Sequence, residues 1–154
     1  MGIILSAGAS GTCDSNILIH LTNTNSPDHR AAEFALKELE QVGAELLYTS
    51  QNIAEFWNVC TRIGPGGIFL SIEETSRRLA MVEARFIFLP ELPRAAEIFK
   101  DILRRYRVRG VQVHDARLAS VMLASGVSEI LTFDRDDFKR YTELTIIHPD
   151  DLLP

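Results

Sequence analysis

The chain has 154 residues, 46% of them hydrophobic and 24% charged. That is one domain of ordinary size with a full core, which excludes a disordered tail and a pair of typical domains. Sixteen Lys plus Arg against 21 Asp plus Glu give a net charge of −5, which argues against coating nucleic acid by bulk electrostatics.

No apolar run approaches the ~20 residues that cross a bilayer, and the opening residues lack the pattern of a secretory signal. Cys13 and Cys60 are too few for a disulfide framework and have no zinc spacing. A reducing, cytoplasmic setting is the simplest expectation. Thirteen of the sixteen basic residues are arginine, whose planar fork suits phosphate as well as surface ion pairs.

In chain order, residues 1–9 are an extension without an assignment, and Ile3-Ile4-Leu5 is its apolar part. Ser10 to Cys13 is a short strand of poor propensity, followed by a helix over Asn16 to Leu21. Ser26-Pro27 opens the next helix, with serine as N-cap and proline in the first turn, and Gly43 ends it. Leu46 to Thr49 is a strand. Ser50 caps a helix through Arg62, on which Ile53, Phe56, Trp57 and Cys60 make one apolar stripe.

Gly64-Pro65-Gly66-Gly67 reads as a loop. Ser71 with Glu74 is a capping-box pattern opening a helix over Ile72 to Ala84. Phe86 to Leu89 is a strand closed by Pro90. Helices over Arg94 to Arg107 and Asp115 to Ser125 follow, then strands Glu129 to Thr132 and Leu144 to Ile147. Strands separated by helices imply one α/β domain whose parallel sheet is covered on both faces. Ligands of such sheets sit beyond the carboxyl ends of the strands.

That rule selects four acids: Asp14, Glu55, Asp115 and Asp134. Each has a structural explanation by itself. An acid at a helix start favours the dipole and caps free N–H groups, and Asp134 has Asp136 and Asp137 beside it, as solvated loops often do. Glu55 is less easily explained, since it falls between Ile53 and Phe56 with no Lys or Arg within four residues. Four carboxylates gathered in one pocket repel; at ~4 Å each pair costs on the order of 4 kcal/mol at an effective dielectric of 20. Raised pKa values or a bound cation must offset this. Oxygen-only ligands point to Mg²⁺ or Mn²⁺, one or two ions, over zinc.

The ordered set Asp14-Ser15-Asn16, Glu55, His114-Asp115-Ala116 and Leu131-Thr132-Phe133-Asp134 resembles the PIN-domain nucleases, in particular the VapC-type toxins of toxin–antitoxin pairs. The resemblance covers nearly the whole chain, from about Gly11 to Leu153. It implies a three-layer α/β/α fold with a mainly parallel sheet and a metal-dependent endoribonuclease. Asp14, Glu55, Asp115 and Asp134 match the acidic residues that bind metal and catalyse. Asn16 and Thr132 match supporting polar residues, and Asp136 or Asp137 is a further candidate for the last acid. It also implies an RNA substrate, a small antitoxin partner and a homodimer.

Arg104, Arg107 and Arg109, with Arg117 further on, are candidate RNA contacts; the alternatives are a helix C-terminus favouring cations and ordinary surface ion pairs. His114 as a general base and Trp57 as a stacking platform stand beside plain packing roles. Two rival functions remain. One is a catalytically silent PIN-like module that binds RNA or protein. The other is a dehalogenase-like phosphatase, which needs a second Asp where Asn16 stands and a catalytic lysine among Lys37, Lys100 and Lys139.

Overall fold

Short apolar strands with side chains alternating between two faces set the architecture. The computed structural model describes residues 8–154, so Ile3-Ile4-Leu5 lies outside the described residues. Strands β1 (Ser10–Cys13), β2 (Glu45–Tyr48), β3 (Ile87–Phe88), β4 (Glu129–Leu131) and β5 (Thr145–Ile147) form one parallel sheet. Its order is β3-β2-β1-β4-β5. Cys13, Leu46, Tyr48, Leu131 and Ile147 face one core, while Leu47, Ile130 and Ile146 face the other.

The first core is covered by α1 (Ser15–Thr22), α2 (His29–Gln41), α3 (Ser50–Thr61) and α4 (Ile72–Arg85). The second is covered by α5 (Ala95–Arg105), α6 (Val113–Ala124) and the single turn α7 (Arg135–Phe138). The expected three-layer α/β/α arrangement is present. Among the described residues no helix is long and apolar enough to cross a membrane.

The strand with the poorest propensity lies at the centre of the sheet. β1 pairs with β2 on one side and β4 on the other, and Gly11, Thr12 and Cys13 are buried. Propensity in strands reflects packing on a pleated surface more than backbone preference. Small side chains in the middle leave room for helices on both faces. The sheet also reaches into the predicted extension, because the Glu45 N–H donates to the Ala9 carbonyl at 3.0 Å.

Several helix ends differ from expectation. α2 begins at His29 rather than Pro27. Ser26 Oγ does accept from the Asp28 N–H at 3.1 Å, but it closes a turn, not the first helical turn. α3 is capped by Thr49, not Ser50. Thr49 is extended, its Oγ1 accepts from the Asn52 N–H at 3.3 Å, and the Asn52 side chain accepts from the Thr49 N–H at 2.8 Å. Thr49→Ala is expected to lower stability by about 1 kcal/mol, read as a shift in the urea midpoint at unchanged slope.

At α4 the Ser71 hydroxyl caps as expected, while the Glu74 carboxylate turns to Arg77 and Arg78 instead of the cap. α5 closes in a Schellman motif. The Val108 N–H donates to the Leu103 carbonyl at 3.1 Å and the Arg107 N–H to the Arg104 carbonyl at 3.3 Å. Its left-handed position, φ 52°, is held by Arg107, where glycine is usual. A Cβ there costs on the order of 1 kcal/mol.

Candidate active site

The sheet order reverses direction between β1 and β4, which creates the switch point where α/β sheets open a crevice. Asp14 leaves the end of β1 as the N-cap of α1, and Asp134 follows β4 as the N-cap of α7. Glu55 stands on the second turn of α3 and Asp115 in the first turn of α6. All four line one open cleft of about 630 Å³ with Asp137, Ser15, Asn16 and Asn58.

Hydrogen bonds fix the inner wall. Asp14, 8% exposed, accepts from the Ser15 N–H at 2.7 Å and from the Thr132 hydroxyl at 2.8 Å. Thr132 Oγ1 in turn accepts from the Asp134 N–H at 3.0 Å and from Asn16 Nδ2 at 3.3 Å. Asn16 Nδ2 also donates to Asp134 Oδ2 at 3.1 Å. One hydroxyl therefore ties Asp14, Asn16 and the backbone of Asp134 together.

Glu55 is held from two sides. The Ser15 hydroxyl donates to its Oε2 at 2.6 Å, and Gln51 Nε2 donates to its Oε1 at 2.8 Å. Gln51 Nε2 also reaches the His114 carbonyl at 2.7 Å, linking α3 to the start of α6, and Asn52 donates to Ser15 Oγ at 3.1 Å. Ser15, Gln51, Asn52 and Asn58 were not singled out from sequence. The helical spacing of Gln51 and Glu55, four apart on one face, was the available signal for Gln51. Nothing local marks Asn58.

Electrostatics set this cleft apart. Burial, with the neighbouring carboxylates adding to it, pushes Asp14 up to about 6 against the hydrogen bonds that pull it down. Asp115 is pushed up to about 7, first by desolvation and then by the charges of Asp137, Asp14, Glu55 and Asp134. Asp137 is raised by burial and by Asp134 and Asp136. Among the described residues, no Lys, Arg or His nitrogen lies within 4.0 Å of the five carboxylates. Beside Asp115 and Asp137 the buried Tyr141 hydroxyl has no hydrogen-bond partner.

The donor set is oxygen-only, as Mg²⁺ or Mn²⁺ requires. No three His, Cys, Asp or Glu side chains among the described residues are drawn together tightly enough to cage an ion as they stand. An ion that keeps several waters and takes one or two carboxylates fits such an open set.

The remaining candidates separate from this cleft. Asp136 pairs with Lys139 at 2.8 Å and lines a neighbouring groove with Arg135 and His148, so of the two extra acids Asp137 faces the cleft. Arg117 pairs with Glu91 at 2.8 Å in a groove of its own. Arg104, Arg107 and Arg109 line another surface cleft. The His114 side chain is exposed and outside the acidic cleft. Trp57 is half-buried, and Phe56 and Cys60 carry the buried stripe of α3.

An α/β/α domain with a carboxylate-lined crevice at its switch point is thus the class of protein defined by fold and site. The chain belongs to the PIN domain family, a family of nucleases, which it matches over residues 12–144. No curated protein matches it. The fold is similar to that of VapBC2 from Rickettsia felis, bound to a DNA fragment from the promoter. Identity is 16%, over 90% of this chain and 98% of that one, with a TM-score of 0.68. It is similar to VapBC-1 from nontypeable Haemophilus influenzae at 16% identity, over 92% and 98%, TM-score 0.67. It is also similar to VapC20 from Mycobacterium tuberculosis, a Sarcin-Ricin loop cleaving toxin, at 15% identity, over 84% and 94%, TM-score 0.62.

Proposed function

We propose that this chain is a Mg²⁺- or Mn²⁺-dependent endoribonuclease and the toxin of a toxin–antitoxin pair, active as a homodimer. The observation that carries this is the cleft itself: five carboxylates, three with raised pKa values, and among the described residues no basic nitrogen within 4.0 Å of them. Without a counter-ion such a set costs stability, and a divalent cation is the simplest offset. VapC20, which shares the fold, is described as a toxin that cleaves the Sarcin-Ricin loop, and other relatives in fold are VapBC complexes.

Asp14, Glu55, Asp115, Asp134 and Asp137 would hold one or two ions. A bound ion would supply a Lewis acid and a water of lowered pKa at the scissile phosphate. The protein's own part is orientation. Thr132 aims Asp14, Ser15 and Gln51 hold both oxygens of Glu55, and Asn16 steadies Asp134. No protein nucleophile is called for. Both cysteines are buried, and burial pushes their thiols up, away from the reactive thiolate. Ser15 donates its hydroxyl proton to a carboxylate oxygen within the cleft wall.

The test is incubation of the purified chain with labelled single-stranded RNA under Mg²⁺, Mn²⁺ or EDTA. Internal cleavage is expected with either ion and is abolished by EDTA. Tight RNA binding without cleavage under either ion would favour the silent binding module.

A further inference from the structure

Six of the thirteen arginines of this acidic chain are ion-paired among the described residues, and seven are not. Arg77, Arg78, Arg85, Arg105, Arg117 and Arg135 each have a carboxylate within 4.0 Å. Arg104, Arg107 and Arg109 have none among the described residues, and these three line one open cleft with Leu103 and Val108. The Arg105 between them takes Asp101 and Glu143. Favourable interaction with the helix dipole accounts for Arg104 and Arg105 in the last turn of α5. It does not account for Arg107 and Arg109, which lie beyond that helix.

Arg107 carries a second signal. It holds the left-handed position of the α5 Schellman motif, φ 52°, where glycine is free of strain. A strained non-glycine residue beside two other unpaired cations points to a use for its side chain.

The cleft also lies at the right end of the molecule. α5 and α6 run antiparallel, since Arg94 at the start of α5 donates to the Ala124 carbonyl at the end of α6, and Ala95 packs on Val121 and Ala124. The C-terminal end of α5 is therefore beside the end of α6 that carries Asp115. The Tyr106 ring meets Tyr141 edge-on at 5.2 Å, and Tyr141 in turn feels the charges of Asp115 and Asp137. Arg109 and Asp115 are six positions apart in the chain, so their Cα atoms are at most about 20 Å apart. At about 3.4 Å per stacked nucleotide that is up to roughly six nucleotides.

We infer that Arg104, Arg107 and Arg109 form a phosphate-binding subsite that grips the backbone of single-stranded RNA a few nucleotides from the acidic cleft. The inference rests on the ribonuclease reading. It explains how a chain of charge −5 holds a polyanion: the cleft acids repel phosphates, and these forks hold the strand beside the repulsion. Guanidinium forks take phosphate oxygens in pairs and ignore base identity, so the grip is sequence-tolerant.

The test is binding of a fluorescein-labelled 20-nucleotide single-stranded RNA in EDTA, where cleavage is silent, across a salt series. Arg107→Gly is expected to weaken binding by roughly three- to tenfold and to reduce the log–log salt slope by about 0.7, one phosphate contact on a single strand. The same variant is expected to raise Tm by roughly 2–4 °C by relieving the left-handed arginine. Arg104→Gln is expected to weaken binding similarly without raising Tm.

Unchanged affinity and slope in both variants overturns the subsite. So does a fall in Tm for Arg107→Gly, which removes the strain argument. Loss of binding to poly-glutamate with RNA binding intact assigns the cleft to an acidic protein partner and likewise overturns it. Failure of the wild-type chain to cleave RNA under Mg²⁺ or Mn²⁺ is a separate result that strikes the ribonuclease reading alone.

Discussion

Asp14→Asn is expected to leave the fold intact and to lower divalent-stimulated RNA cleavage by at least on the order of a hundredfold. The substitution keeps the shape of the side chain and removes its charge. The amide oxygen still accepts from the Ser15 N–H. The amide nitrogen, however, faces a Thr132 hydroxyl that already accepts from Asn16 and from the Asp134 N–H. That frustrates one hydrogen bond, about 1 kcal/mol, while ending the cost of keeping a carboxylate 8% exposed among like charges. In EDTA above pH 7 the net change is a gain in stability on the order of 2 kcal/mol, and the loss of activity is large. Circular dichroism melting and gel-resolved cleavage, each with Mg²⁺ and with EDTA, separate the two. Full cleavage by this variant would remove Asp14 from the site.

The second large effect is on stability in EDTA. In the folded chain Asp14 and Asp115 sit at about 6 and about 7, above their ordinary 3.8. Between those values the native state holds protons that the unfolded chain releases, so stability falls as pH rises through 6 and 7. Moving one buried carboxyl from 3.8 to about 6 corresponds to roughly 3 kcal/mol for Asp14. Asp115 is more open to water, and screening reduces its share to on the order of 1–2 kcal/mol.

The ion-paired Glu74, held down at about 2, acts the opposite way and loses its contribution only as pH falls through that value. The metal-free protein should therefore be more stable at pH 5 than at pH 8. Asp115→Asn should raise Tm at pH 8 by roughly 2–8 °C and have little effect near pH 4. Mg²⁺ or Mn²⁺ should raise the wild-type Tm more at pH 8 than at pH 5, because protons compete for the same oxygens. A melting point that is flat from pH 5 to 8, with or without divalent ion, would contradict the coupled cluster.

The sequence alone determined the alternation of strands and helices, because hydrophobic period, caps and turn residues are local properties. Asp14 and Asp134 were also legible, since a parallel sheet puts the residues after its strands on one edge whatever the details of packing; Glu55, within α3, and Asp115, at the start of α6, were legible through the order of the acidic motifs. The boundaries were less so: Thr49 displaced Ser50 as cap because only Thr49 has the extended backbone that lets its hydroxyl reach the Asn52 N–H.

Only the tertiary structure decided which charges keep company. Arg117 and Asp136 look as available in the sequence as Arg107 and Asp137 do. Folding brings Glu91 to the first, and a helical turn brings Lys139 to the second. It likewise set the weak strand Ser10–Cys13 at the centre of the sheet. Pairing and burial depend on residues far apart in the chain, and local propensity carries no information about them.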